Sequence, residues 1–385
     1  MRQIFCASLA ALALTSCFKD EPLNAEADIE SAFLSVANPT EFFFSPTDSA
    51  LQVSSTEKAI TFSVRPRTDL SALAPTFQLT PGATISPESG SVHDFTSQAV
   101  TYVVTSEDGS WSRTYTVSVK QVYRTVANTI SYDFEHKYIE NLSTASFYAW
   151  TDYSETGESL LNWSSGNAGY ALVHSQDAPE SYPTIPLAEG YEGEGVQLIT
   201  RHTGALGSMV GMPLAAGNLF LGKFEVLNAL QDAMSATRFG LPVDYKPVHF
   251  SGYYKYKPGE VYKDKTENVI EGKIDDCSIY AVFYRNTTLD ADGNTVSVTL
   301  DGNNVLTSDL LVGTAVLENH PATDEWTRFD VDFTYTTEPD PDLIADRGYN
   351  MAIVFSSSSN GDLFEGAVGS TLCVDKVEIV ADHSL

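Results

Sequence analysis

The sequence has few cysteines and few positive charges. Four of its 385 residues are cysteine, and Lys and Arg number 22 against 51 Asp and Glu. A chain of this length can bury enough apolar surface to fold without disulfides. Its formal net charge of −29 repels polyanions, so we exclude nucleic acid as a partner.

Several catalytic and cofactor motifs are also missing. The sequence contains no HExxH, no GxSxG, no P-loop and no GxGxxG, which removes support for nucleophilic hydrolysis and for a nucleotide partner. Neither Cys277 nor Cys373 lies in a CxxC or Cys/His pattern, so zinc is not expected. These two cysteines could form one disulfide or lie buried as small apolar side chains, and the sequence leaves both open.

The chain also lacks an apolar run of the roughly 20 residues that a membrane-spanning helix needs. Residues 1–17, MRQIFCASLAALALTSC, predict a secretory signal, because a short apolar run follows one Arg and ends in small residues. The final LTSC resembles the lipobox of bacterial lipoproteins, which implies that Cys17 is acylated and anchors the protein in the outer membrane. The acidic residues 18–30 predict a flexible tether and resemble the signal for surface exposure.

Residues 31–122 alternate between short apolar stretches and turns. Val100–Val104 and Tyr115–Val119 flank the polar sequence SEDGS, which predicts a β-hairpin. Several such strands within about a hundred residues are typical of an immunoglobulin-like sandwich. This segment carries no cluster of catalytic side chains, so we interpret it as a spacer domain.

Residues 131–385 are richer in aromatic side chains and have longer loops. Several segments alternate or run apolar between Gly, Pro, Asn and Asp, which predicts strands. One segment differs, because Leu227, Leu230 and Met234 recur at helical spacing before Gly240 and predict one short helix. Many strands with one helix in about 250 residues predict a jelly-roll β-sandwich, so the whole chain is expected to be all-β.

Four pieces of this second segment carry a family resemblance. They are FSGYYKYKPGE, DDCSIYAVFY, EWTRFDVDF and YNMAIVFSSSSNGDLFEGAVGSTLCVDKVEI. In order and spacing they resemble the putative carbohydrate metabolism domain family, which follows an immunoglobulin-like domain in some bacterial surface lipoproteins. The resemblance implies a jelly roll similar to carbohydrate-binding modules and a glycan as partner. It implies no catalytic residues, because the family has no agreed ones.

The predicted last strand, TLCVDKVEIV, contains an acidic residue among apolar ones. Strict alternation places Cys373, Asp375 and Val377 on one face and Leu372 and Val374 on the other. A carboxylate on such a face needs a partner or a cation.

The resemblance to carbohydrate-binding jelly rolls also implies that the first and last strands lie side by side. SYDFEHKY, residues 131–138, is similar to the first strand of those modules. An acidic residue from each strand can hold a structural Ca²⁺, which takes about six to eight oxygen ligands. We therefore predict a calcium site at Glu135 and Asp375. The alternative is that these carboxylates pair with Lys137 or Lys376 or are solvated.

Aromatic side chains in polar segments are the main functional signal. The C–H faces of sugar rings lie on aromatic planes, while their hydroxyls bond amides and other polar groups. Trp150 and Trp163 are candidates for such contacts, with Asn167 as a hydroxyl partner, although a jelly roll also buries aromatics in its core. In FSGYYKYKPG, alternation separates a core face from a wetter face, which makes Tyr253 and Lys255 candidates for a cleft wall or for a solvated outer face.

Asp362 and Glu365 lie in the glycine-rich loop GDLFEGAVGS. They are the candidate carboxylate pair for a glycosidase, although acidic residues in such loops also act as turn formers. The sequence as a whole predicts a lipid-anchored, surface-exposed glycan-binding protein of a carbohydrate utilisation system. The alternatives are a glycoside hydrolase and a structural or adhesive surface protein.

Overall fold

The computed structural model describes residues 23–383, apart from residues 124, 143, 154–158, 161 and 227–231. Nearly all regular structure in these residues is β-strand, which confirms the predicted all-β fold. Two separate hydrophobic cores correspond to the two predicted domains. The predicted signal sequence and Cys17 lie outside the described residues. None of the described helices combines the length and the hydropathy needed to cross a bilayer.

The N-terminal domain is a sandwich of two sheets. One sheet has the strand order β2-β1-β4 and the other β3-β7-β6-β5. The strands are β1 Ile29–Phe33, β2 Ala50–Gln52, β3 Ala59–Val64, β4 Thr76–Leu79, β5 Thr84–Ser86, β6 Val100–Thr105 and β7 Ser112–Gln121. Short helical turns follow β1: an α-helix, α1 Pro39–Phe42, and a 3-10 helix, Pro46–Ser49.

The predicted hairpin of this domain is formed by β6 and β7. Every second side chain enters the core, with Tyr102, Val104, Tyr115 and Val117 fully buried. The domain begins earlier than the expected boundary at residue 31, because Ile29 opens β1 and is buried. The predicted tether is therefore shorter than 18–30.

The C-terminal domain contains the remaining strands. They are β8 Thr129–Tyr132, β9 Lys137–Asn141, β10 Ser146–Trp150, β11 Asp152–Tyr153, β12 Ser159–Leu160, β13 Trp163–Ser164, β14 Thr184–Leu187, β15 Gly195–Ile199, β16 Arg201–His202, β17 Leu214–Ala215, β18 Asn218–Phe224, β19 Thr237–Phe239, β20 Leu241–Val243, β21 Lys246–Lys257, β22 Tyr262–Lys263, β23 Ser278–Arg285, β24 Thr287–Leu289, β25 Thr295–Ser297, β26 Leu311–Val316, β27 Thr323–Asp332, β28 Thr334–Tyr335, β29 Tyr349–Ser356, β30 Gly366–Ala367 and β31 Thr371–Asp382. The helices are α2 Asn167–Tyr170, α3 Gly204–Met209 and α4 Pro341–Ala345, with 3-10 helices Pro179–Ser181, Ala233–Ala236 and Gly361–Leu363.

Two large sheets form this second sandwich. The eight-stranded sheet has the order β13-β18-β29-β23-β26-β28, with β19 on β18 and β20 on β29. The six-stranded sheet has the order β14-β15-β31-β21-β27, with β8 on β31. Phe250 and Tyr254 of the six-stranded sheet share one core with Phe283 and Phe355 of the eight-stranded sheet. This core between two sheets is what a jelly-roll sandwich requires.

The first and last strands of this domain lie side by side. Strand β8 pairs antiparallel with β31, so that Tyr132 stands opposite Val377. The neighbourhood expected from the resemblance is therefore confirmed. Strand β31 also pairs along most of its length with β21, which places it in the interior of the sheet.

A bulge changes the alternation predicted for β31. Lys376 has a φ of +49° and the pairing register with β21 shifts beside it. The extra residue moves Val377 to the core side with Leu372 and Val374, whereas Asp375 and Cys373 stay on the other side. The prediction that Val377 shares the face of Asp375 is therefore wrong, because strict alternation does not cross a bulge.

The predicted short helix lies largely outside the described residues. Leu227 and Leu230 belong to the segment 227–231, which is not described. Met234 lies in the 3-10 helix Ala233–Ala236, which Asp232 caps by accepting a hydrogen bond from the Met234 backbone N–H.

The two domains contact each other around one aromatic ring. Two guanidinium groups contact the ring of Phe44 in the N-terminal domain, with Arg65 at 5.1 Å and Arg347 at 5.6 Å from the ring centroid. Arg65 also donates to Asp346 of the C-terminal domain at 2.6 Å. Cation–π and charge-assisted contacts thus join the spacer to the jelly roll.

Removal of a core side chain from the six-stranded sheet should destabilise the jelly roll. Leu372→Ala, at a position with no exposed surface, should lower the free energy of unfolding by about 2–5 kcal/mol. Leu289→Ala, at a position that is 67% exposed, is the matched control and should change it by less than about 0.5 kcal/mol. Urea unfolding followed by tryptophan fluorescence measures both, and equal midpoints would contradict the assigned core.

Candidate functional site

A groove of about 480 Å³ lies on the outer face of the eight-stranded sheet. We call it the sheet groove. Its floor is formed by Phe220 of β18, Tyr280 of β23 and Val354 of β29. Its walls are formed by residues within 166–173, 203–216, 302–307 and 356–364.

The floor exists because the central strands are covered on both faces. In β23, Ile279 and Ala281 enter the core between the sheets, whereas Tyr280 and Val282 belong to a second apolar cluster on the outer face. A strand covered on both faces runs apolar without alternation, as SIYAVFY does. This groove was not among the predicted sites, although the unbroken apolar run was a sequence signal for it.

The lining of the sheet groove combines aromatic rings with uncharged polar groups. The aromatic side chains are Tyr170, Phe220, Phe224, Phe239, Tyr280 and Phe364. Asn218 and Asn303 supply amides, and several Ser and Thr residues supply hydroxyls. Among the described residues, no Lys or Arg lines the groove.

Asp362 is the carboxylate in the described lining of the sheet groove. It lies in the 3-10 helix Gly361–Leu363, and partial burial raises its pKa above the usual aspartate value. The charge of the nearby Glu365 raises that pKa further. Glu365 itself is not among the lining residues, so the described groove does not bring together the carboxylate pair that the sequence suggested.

The loop that carries Asp362 is fixed by a buried carboxylate. Asp275 is 3% exposed, and its Oδ2 accepts hydrogen bonds from Ser358 Oγ at 2.6 Å, Ala367 N at 2.7 Å and Ser370 Oγ at 2.6 Å. Because Ser358 also lines the groove, this carboxylate positions the groove wall. Asp275 therefore acts inside the fold, where its charge is satisfied by three donors.

Three of the predicted glycan contacts are buried instead. Trp150 is 1% exposed, Trp163 5% and Asn167 not at all. The Trp163 indole N–H donates to Asp152 at 3.0 Å, and Asn167 exchanges hydrogen bonds with the backbone of Thr184 at 2.8 and 3.0 Å. The two tryptophans belong to the core between the sheets, which was the alternative to a glycan contact, and Asn167 is buried against Thr184.

Tyr253 and Lys255 lie on the outer face of the six-stranded sheet, as alternation predicted. Tyr191 stacks on Tyr253 with ring centroids 3.6 Å apart and planes 10° apart. The Trp326 ring stands nearly perpendicular to Tyr191, and Lys255 Nζ lies 4.9 Å from its centroid. We call Tyr191, Tyr253, Lys255 and Trp326 the tyrosine platform. It is a partly exposed aromatic surface, and its contact with a glycan stays a prediction.

The two predicted calcium ligands contact the same loop, between β14 and β15. Asp375 is fully buried, and its oxygens accept backbone hydrogen bonds from Glu192 at 3.0 Å and Lys376 at 2.7 Å. Burial raises the pKa of Asp375, and these hydrogen bonds oppose the increase. Glu135 accepts from the backbone of Glu194 at 3.0 Å. A carboxylate oxygen that accepts one N–H keeps a second lone pair, so calcium binding at Glu135 and Asp375 stays a prediction.

The two cysteines of the jelly roll are both free and buried. Cys277 belongs to the core between the sheets, whereas Cys373 pairs with Gln197 and Lys255 on the outer side of β31. The structure therefore holds no disulfide between them.

Two family models match this chain. One is described as "Putative carbohydrate metabolism domain" and matches residues 133–380, and the other as "SGBP, N-terminal" and matches residues 40–119. The second model relates the N-terminal domain to surface glycan-binding proteins. No curated protein matches the chain at a significant level.

Two crystal structures of proteins described as "putative glycoside hydrolase" are similar to the chain. One, from Bacteroides thetaiotaomicron, is 40% identical with a TM-score of 0.79, and the alignment covers 95% of this chain and 99% of that one. The other, from Bacteroides vulgatus, is 39% identical with a TM-score of 0.59, and covers 66% and 98%. The matched residues 133–380 span more than half of the sequence, and the chain therefore belongs to the "Putative carbohydrate metabolism domain" family.

Proposed function

We propose that this protein binds a neutral glycan in the sheet groove. The observation that carries the proposal is the combination of an aromatic floor with amide and hydroxyl groups in one cavity of about 480 Å³. Phe224 and Phe364 are partly exposed in the lining and offer ring surfaces to the C–H faces of sugars above the buried rings of Phe220 and Tyr280, and Asn218 and Asn303 line the same space with amides. The relation of the N-terminal domain to surface glycan-binding proteins supports this function.

The charge of the protein favours a neutral ligand. The net charge of −29 and the carboxylate of Asp362 both repel an acidic glycan, and no basic side chain among the described lining residues compensates them. Arg238 of β19 stands in the chain between Thr237 and Phe239, which both line the groove. Its guanidinium group is paired with Glu225 at 3.1 Å. We therefore expect uronate-rich and sulfated polysaccharides to bind weakly.

Lipid anchoring through Cys17 and a place in a carbohydrate utilisation system belong to the same proposal. An acylated Cys17 would hold the spacer and jelly roll at the outer face of the outer membrane. Cys17→Ser should move the protein from the membrane fraction to the soluble fraction of the producing cell. An unchanged distribution would show that another element anchors it.

Substitutions in the sheet groove should weaken glycan binding. Phe224→Ala removes a ring from the wall, and Leu306→Trp, at a position that is 48% exposed, places a bulky ring over the groove without changing the core. Each should weaken binding on the order of tenfold, which corresponds to about 1.4 kcal/mol. Affinity electrophoresis on neutral and acidic polysaccharides identifies the ligand, and calorimetry with the positive glycan measures the affinity.

Substitutions on the tyrosine platform provide the control. Tyr253 and Lys255 lie on the opposite sheet, so a glycan bound in the sheet groove leaves the affinity of Tyr253→Ala and Lys255→Ala unchanged. If they weaken binding while Phe224→Ala and Leu306→Trp do not, the platform is the binding surface and the sheet groove is not. If no neutral polysaccharide slows the protein in affinity electrophoresis, the proposal that it binds a neutral glycan is wrong.

A glycoside hydrolase is the second candidate function. It is favoured by the description of the two similar crystal structures and by the raised pKa of Asp362 in the groove wall, which suits a general acid. Against it, the described lining offers one carboxylate where such enzymes use two. Release of reducing ends that Asp362→Ala abolishes would establish hydrolysis, and binding without release would exclude it for that glycan.

We also propose a structural calcium ion at Glu135 and Asp375. Glu135 follows β8 in the chain and Asp375 lies in β31. An ion bound to both residues would therefore join the first and last strands of the jelly roll. Millimolar calcium should therefore raise the melting temperature relative to EGTA, and Glu135→Gln should abolish that increase. Identical melting in calcium and EGTA would show that the backbone N–H groups alone satisfy these carboxylates.

A further inference from the structure

Three side chains of different ligand types meet at one end of the jelly roll, next to the wall of the sheet groove that Ser278 and Ser359 line. Asp276 and Cys277 precede β23, and His320 lies in the loop between β26 and β27. His320 Nδ1 lies 2.9 Å from Asp276 Oδ1 and 3.7 Å from Cys277 Sγ. The three ligand atoms all lie within 4.8 Å of one another.

The geometry does not suit nucleophilic catalysis. In a relay of nucleophile, base and orienting carboxylate, the two partners contact different nitrogens of the histidine ring. Here Asp276 and Cys277 both approach Nδ1 of His320. A proton cannot pass through the ring between them, so the cluster does not form a cysteine triad.

Three donors that converge on one point suit a metal ion. Zinc bonds to thiolate sulfur at about 2.3 Å, imidazole nitrogen at about 2.0–2.1 Å and carboxylate oxygen at about 2.0–2.2 Å, which places tetrahedral ligand atoms about 3.3–3.6 Å apart. The observed separations of 2.9 and 3.7 Å lie on either side of that interval. Small side-chain rotations would therefore bring all three donors to bonding distance.

The surroundings support and expose the cluster. The Cys277 backbone N–H donates to Asp276 Oδ1 at 2.9 Å, and Ser359 N donates to Asp276 O at 2.6 Å. The side chain of Asp276 is 57% exposed and that of His320 10%, so an ion can arrive from solvent while Cys277 stays buried. Three protein ligands leave a fourth position for water.

From this arrangement we propose that Asp276, Cys277 and His320 bind one zinc ion. Sulfur, nitrogen and oxygen donors in one small site favour zinc over calcium or magnesium, which take oxygen ligands. On binding, the Cys277 thiol releases its proton to solvent and ligates the ion as thiolate, while the neutral imidazole of His320 ligates it through Nδ1 and carries its proton on Nε2. The ion would link the start of β23 to the β26–β27 loop, where the Tyr254 hydroxyl also donates to Pro321 O at 3.4 Å.

Cobalt(II) provides the direct test, because a thiolate ligand gives charge-transfer absorption and a tetrahedral site gives intense visible bands. The full chain should carry Cys6→Ser and Cys17→Ser, so that Cys277 and Cys373 are the remaining thiols. We expect one cobalt per chain with thiolate charge transfer, and stoichiometric displacement by zinc. Cys277→Ser should abolish the charge-transfer band, and His320→Ala and Asp276→Asn should each weaken zinc binding at least tenfold.

Cys373→Ser is the matched control, because it removes the other buried thiol and should leave the spectrum unchanged. Asp276→Asn alters an exposed side chain, so it keeps the test valid if Cys277→Ser or His320→Ala fails to fold. The proposal is wrong if cobalt gives no thiolate band, if the band survives in Cys277→Ser, or if zinc affinity is unchanged in Asp276→Asn. The result does not depend on glycan binding, which is measured separately.

Discussion

The carboxylate of Asp275 holds together one end of the jelly roll, and both the sheet groove and the proposed zinc site depend on that end. It is buried, and it accepts hydrogen bonds from Ser358, Ala367 and Ser370. Hydrogen bonds to a charged group contribute about 1.5–3 kcal/mol each, and loss of the acceptor would leave three donors unpaired. Ser358, which donates to this carboxylate, lines the sheet groove, and Asp276 and Cys277 follow Asp275 directly in the chain. A single buried charge thus sets the position of the loop 356–370 relative to β23.

The two sheets of the jelly roll have different outer faces. The eight-stranded sheet is covered on both sides, by the core and by the cluster that forms the floor of the sheet groove. The six-stranded sheet is covered on one side and carries the partly exposed tyrosine platform on the other. A ligand enclosed by walls meets more apolar and polar contacts than one on a flat surface, which is why we place the glycan in the groove.

Binding and hydrolysis make different demands on the groove. Stacking and hydrogen bonding need aromatic, amide and hydroxyl groups, and the lining supplies them. Glycoside hydrolysis needs two carboxylates on either side of the bond, and the described lining supplies Asp362. The N-terminal domain does not distinguish the two functions, because its contacts with the jelly roll through Phe44 and Arg347 serve either one.

The sequence by itself determined the features that depend on local pattern. Alternation predicted the β6–β7 hairpin and the wetter face of β21 with Tyr253 and Lys255, because side chains of a strand point alternately to its two faces. It could not show that Lys376 forms a bulge, since a single positive φ reverses the pattern without changing composition. It left Trp150 open between a surface contact and core packing, because polar neighbours in a loop do not reveal what covers a side chain.

Only the tertiary structure decided where the sites are. The sheet groove draws its lining from strands and loops that lie far apart in the chain, and Cys277 meets His320 across 43 positions. Motif spacing detects ligands that one turn or one strand brings together, and it misses those that meet through the pairing of distant strands. The sequence thus determined the fold class by local periodicity and the family by resemblance. The structure decided the groove, the buried anchor and the metal-ligand cluster, because long-range packing brings those residues together.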